Sequence, residues 1–150
     1  MKRIAAVLFA ATTLLPFTLH AQNQAASAVN PNDPAVKAAI DEAGQAAKGW
    51  LALLDATNFD ACWNALAPAV KDQASQADFN ASLAAVREQY GAAKARRASK
   101  VTFTHKLPGA PDGDYVVLQY ETDFAKNHAV ETVVPMRTAD GWKVSGYFVR

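Results

Sequence analysis

Two periodicities divide this chain. Between residues 34 and 90 apolar side chains recur at three- and four-residue steps, and from residue 101 onward they recur at every second position. Val36, Ile40, Ala43, Ala47, Trp50, Leu51 and Leu54 form one helical face, opposite Lys37, Asp41, Glu42, Gln45 and Lys48. That stripe predicts a helix from about residue 34 to 56, with Asp33 as its cap and Pro34 in its first turn. A second, short helix carries Phe59, Cys62, Trp63 and Leu66, and Pro68 interrupts or restarts it. Ser75 and Asp78 resemble a capping box ahead of Phe79, Leu83, Val86 and Tyr90, and Gly91 closes this third helix.

Four alternating runs follow, the signature of strands with one buried face. Their apolar sets are Val101, Phe103, His105 and Leu107; Val116, Leu118, Tyr120, Thr122 and Phe124; Val130, Thr132, Val134 and Met136; and Trp142, Val144, Gly146 and Phe148. Residues 125–127 and 139–141 read as three-residue hairpin loops ending in Asn127 and Gly141, which tolerate a left-handed backbone. This choice pairs Phe124 with His128 and Thr138 with Trp142, and directs every apolar set inward. Helices followed by an antiparallel meander define an α+β class: three N-terminal helices packed on a curved four-stranded sheet, as one domain over residues 33–150.

The chain begins with Lys2 and Arg3, then an apolar run from Ile4 to Leu19 interrupted by Thr12, Thr13, Pro16 and Thr18. That run is short of the roughly 20 residues of a spanning helix, so it reads as a signal peptide over residues 1–21, cut after Ala21. Leu19 at the minus-three position leaves Ala26 and Ala28 as alternative cleavage sites. The expectation is therefore a periplasmic or secreted protein with no membrane span in its mature form and a flexible leader over residues 22–32. Losing Lys2 and Arg3 takes the basic count from 15 to 13 against 14 acidic residues, which gives no electrostatic case for nucleic acid. The one basic cluster, Lys94, Arg96, Arg97 and Lys100, reads as a solvated entry to the first strand. Cys62 stands alone, so no internal disulfide exists, and beside Phe59 and Trp63 it reads as a small buried hydrophobe rather than a reactive thiol.

Residues 107–115 (LPGAPDGDY), 131–136 (ETVVPM) and 140–147 (DGWKVSGY), with residues 50–55 (WLALLD) and the Trp63 helix, resemble the exported bacterial family known as domain of unknown function 4019. The resemblance implies a cone of the nuclear-transport-factor-2-like or cystatin-like kind. It brings no activity, cofactor or catalytic residue with it, and the strand pair that the cone fold places between its second and third helices is missing here.

Candidate chemistry is sparse. His105 and Tyr120 are expected to face the cone interior on neighbouring strands, with Thr122 and Thr132 able to position a ligand, as a candidate pocket. No carboxylate is expected on that face, and no Cys/His cluster has metal-ligand spacing, so no catalytic residue, metal or cofactor is assigned. On the outward face the register opposes Glu121 to Glu131 and Arg137 to Lys143, among Tyr115, Val117, Val133, Tyr147 and Val149. Like charges facing each other between exposed apolar residues suggest a partner surface, including a homodimer through the outer sheet face. The function expected is an exported binding or protein-interaction module without catalysis. The alternative is a small-molecule-binding protein or enzyme using His105 and Tyr120.

Overall fold

The computed structural model describes residues 29–150; the expected signal peptide and most of the leader lie outside them. Four helices precede four strands: α1 (Pro34–Asp55), α2 (Phe59–Asn64), α3 (Pro68–Lys71), α4 (Gln76–Tyr90), β1 (Ala93–Thr104), β2 (Tyr115–Phe124), β3 (His128–Thr138) and β4 (Gly141–Val149). The strands form one antiparallel sheet in chain order, the α+β arrangement that the two periodicities predict. Pro68 does restart a helix, so the second expected helix is two short ones.

Local chemistry sets the helix ends. Asp33 caps α1 by accepting from the Ala35 amide at 2.8 Å, and Ser75 caps α4 by accepting from the Asp78 amide at 3.1 Å. Asp78 does not reach back to the Ser75 amide as a capping-box residue would; it accepts the Ser75 hydroxyl at 2.7 Å. Gly91 ends α4 at φ 79°, where a Cβ would lie 3.0 Å from that of Ala125, so both conformation and space require glycine.

One face of the sheet is covered by α1, which packs against all four strands. Ala39, Ala43 and Ala47 let its backbone approach closely, and Trp50, Leu51 and Leu54 fill the space further along. Trp50 donates its indole N–H to the Cys62 carbonyl at 3.1 Å, tying α2 to α1. The chain after α2 then meets the sheet edge, where the Ala67 amide bonds the Val144 carbonyl at 2.9 Å.

The register differs from the sequence expectation by one residue between β2 and β3. Asp123, not Phe124, pairs with His128, and Tyr120 lies across from Glu131. The turn explains the difference: the Ala125 and Lys126 amides bond the Ala92 and Tyr90 carbonyls, so four residues, 124–127, close the hairpin. Between β3 and β4, Thr138 pairs with Gly141 and Arg137 with Trp142, closing a two-residue loop with Gly141 at φ 101°. A one-residue slip exchanges the faces of a strand. Ala129, Glu131, Val133 and Pro135 therefore point inward, while Val130, Thr132, Val134 and Met136 point outward.

Bulges complete the pattern. Pro135 has no N–H, and its nitrogen faces β2, where the ladder passes from Met136–Tyr115 directly to Val133–Leu118; opposite it on β4, Ser145 is an extra residue between Val144 and Gly146. Beyond that bulge β4 changes phase, so Tyr147 packs inward on Trp50 and Phe148 turns outward. In β1 the extra residues are Lys94 and Ser99. Val101 and Phe103 share their face with Arg96 and Ala98 only because Ser99 intervenes, and that places Arg96 inside.

Arg96 is thus no solvated strand entry. It meets Glu131, which is 0 % exposed, through Nε and through Nη2 at 3.2 Å. Removing one member of a buried ion pair leaves the other uncompensated. Arg96→Ala is expected to lower unfolding stability by about 3–5 kcal/mol in urea titrations. An Arg96→Met, Glu131→Leu double variant should recover most of that loss; a single-variant loss below about 1 kcal/mol would show the pair to be dispensable.

Candidate functional site

The polar interior is a chain of alternating charges. Arg87 on α4 bonds Asp55 at 2.8 Å, Asp55 accepts two N–H groups of Arg96 at 2.5 and 2.8 Å, and Arg96 holds Glu131. The remaining capacity of Glu131 is taken by the Tyr147 hydroxyl at 2.7 Å and the Thr122 hydroxyl at 3.1 Å. Burial alone would raise the Asp55 carboxyl, but the Arg96 hydrogen bonds and charge, helped by Arg87, hold it below the usual range. Burial raises the Tyr147 phenol, and the Glu131 charge and hydrogen bond add to it. Tyr120, across from Glu131, is raised in the same sense by burial and then by the Glu131 charge. Such phenols keep their protons at neutral pH, and a carboxylate covered and fully bonded has no lone pair free for a substrate. The network is balanced and structural in its chemistry.

The residues expected to line an interior pocket do not converge. Tyr120 and Thr122 face inward beside Glu131, but Thr132 is on the outer face. β1 ends at Thr104, so His105 lies at the rim with a 62 % exposed side chain, its Nδ1 2.7 Å from Asp114. The expected interaction face is also redistributed. Glu131, Val133 and Tyr147 belong to the interior, and Tyr115 is covered, its hydroxyl donating to the Pro111 carbonyl at 2.7 Å. Val117 and Lys143 remain outward. The opposed like charges do not occur: Glu121 faces Val130, Lys143 faces Met136, and Arg137 faces Trp142 while bonding Glu42 at 2.9 Å.

The slip instead makes the outer face apolar. Val117, Val134, Met136 and Phe148 line a groove of about 510 Å³, with Gln119 and Thr132 as polar groups along its floor. The Leu107–Pro111 segment closes one end, and α3 contributes Ala69 and Val70 on the β4 side. Phe148 is 52 % exposed there, with its ring over Gly146. Among the described residues, Arg150 is the one charged residue along the groove. A second cleft of about 260 Å³ lies between α4 and the end of β4, against Phe79, Leu83 and Val86. The sequence signal for the groove was Pro135, a residue that a central strand admits only beside an irregularity. That irregularity is the extra residue Ser145 on β4, which turns Phe148 into the groove, while the turn after β2 sets the face of β3.

Burial pushes the Cys62 thiol up to about 11, so it stays protonated at neutral pH. Among the described residues, no group of His, Cys, Asp and Glu is arranged to hold a metal ion, and no helix is long and apolar enough to cross a membrane.

The architecture is thus an α+β domain whose sheet is covered by a long helix on one face and grooved on the other. The chain belongs to the family described as protein of unknown function DUF4019, whose profile it matches over residues 46–147. No curated protein and no solved structure matches it.

His128 supplies a solution check on the register. Its Nδ1 is 2.7 Å from Asp123 and its Nε2 2.9 Å from Glu121, hydrogen bonds that raise its pKa above 6.5, Asp123 most strongly. Because the folded value is raised, the stabilisation is full below 6.5 and fades as pH rises through the folded value. An NMR titration should place the His128 midpoint above 6.5 and show it falling in Asp123→Asn; an unshifted midpoint in both proteins would contradict the pairing.

Proposed function

We propose that this protein is a small exported binding or interaction module, without catalysis, that uses the groove on the outer face of the sheet. The observation that carries the reading is the groove itself: apolar side chains of three strands lie open between α3 and the Leu107–Pro111 segment. Monomeric proteins rarely leave large apolar patches open without a binding role. Gln119 and Thr132 offer hydrogen bonds at the floor, so the occupant is an apolar group carrying a few polar atoms. The charged interior, with each acid already paired, supports a scaffold role for the interior in place of an acid–base one.

A saturable apolar fluorophore such as anilinonaphthalenesulfonate tests the groove on the processed, folded protein. Met136→Glu should weaken its binding at least about tenfold, the loss of roughly 1.4 kcal/mol, with near-UV dichroism unchanged. Equal binding by the variant would remove the groove from the function. Export has a separate test. Protein recovered from the periplasmic fraction should begin at Gln22, and an intact start at Met1 would overturn the signal-peptide reading.

A further inference from the structure

The two edges of the sheet differ. β1, at one side, carries Lys94, Arg97 and Lys100 and two bulges, devices that keep another strand from adding to an edge. β4, at the other side, is occupied among the described residues only at Val144, whose carbonyl bonds Ala67. Beyond it residues 145–149, Ser-Gly-Tyr-Phe-Val, hold no charge.

The backbone of that segment is open. Arg150 and Val130 exchange both their hydrogen bonds, at 2.8 and 3.0 Å. Antiparallel pairs alternate between bonded and non-bonded, so Val149 and Tyr147 direct their N–H and C=O groups away from β3. Among the described residues no backbone group meets them. The cleft beside α4 leaves space next to Tyr147 and Phe148.

We infer that this edge pairs with the same edge of a second copy, joining two four-stranded sheets into one through antiparallel β4 strands. A strand that bonds here must present its own outward groups to Tyr147 and Val149. Only a two-fold axis at Tyr147 matches the whole window from Ser145 to Val149 with itself, and Ala67 ends the window beyond. In that register Gly146 of each copy lies across from Phe148 of the other. The two phenyl rings occupy diagonal corners, and the glycines leave the other two corners free for them. Charge selects the same partner: β4 against β1 would bring three cations to the junction, whereas β4 against β4 brings none between Ser145 and Val149. The pairing goes beyond the groove's role as a binding surface and does not rest on it. A five-residue pairing spans about 17 Å, and the interface lies below roughly 1,200 Å², so the dimer is weak and reversible.

Sedimentation equilibrium of the processed protein should show the average mass rising toward that of a dimer between roughly 10 μM and 1 mM, a range set by contacts of this size. Over the same range, amide exchange at Tyr147 and Val149 should slow while that of Val133 stays constant. Val149→Pro removes an edge-facing N–H that β3 does not use, and Phe148→Lys places a cation on an exposed position. Each should weaken association at least about tenfold, and both keep the wild-type circular dichroism. A strict monomer at every concentration overturns the inference, and so does association that persists in both variants. Should Val149→Pro fail to fold, Phe148→Lys together with amide exchange on the unmodified protein still decides.

Discussion

The buried carboxylate of Glu131 holds the molecule together at the point where most of its elements meet. Arg96 from β1, Thr122 from β2 and Tyr147 from β4 donate to it, and Arg96 passes the contact on to Asp55 at the end of α1 and so to Arg87 on α4. A charge in such a place is tolerated only with full hydrogen bonding, so each donor has to arrive at a fixed position. Three irregularities deliver them. The Ser99 bulge turns Arg96 inward, the Ser145 bulge turns Tyr147 inward, and the four-residue turn after β2 turns Glu131 to meet both.

This dependence explains what the sequence made legible. The helices followed from their apolar stripes and caps, and the strands and their order followed from alternation, because those signals are local. The faces of β3 were not legible in the same way. Val130, Thr132, Val134 and Met136 are more apolar than Ala129, Glu131, Val133 and Pro135, so a ranking by hydrophobicity directs the first set to the core. The structure does the reverse, since Glu131 finds three donors inside and the apolar set gains an open groove. Arg96 was hidden likewise: in a basic stretch nothing marks one arginine as internal until the Ser99 bulge is placed and its partner is found 35 residues along the chain.

Both faces of the central strands are therefore apolar in character, one closed by α1 and the other open. Burying a single acid among three donors releases the more apolar face of β3 to the outside. The polar centre of the protein and its apolar exterior have a common origin in the same register. His105 and Tyr120, which a simple alternation sets side by side, end at a rim and in the interior.

The extra residue at Ser145 works as a phase shifter. Every side chain beyond it owes its face to a count of residues and not to its own polarity, so a phenol ends inside and a phenyl outside, against their solubilities. Variation among relatives of this chain is then constrained in an unusual way near the end of β4. Exchanges of one residue for another act on single contacts there, whereas a loss or gain of one residue exchanges the hydroxyl that Glu131 needs with the ring that the groove displays.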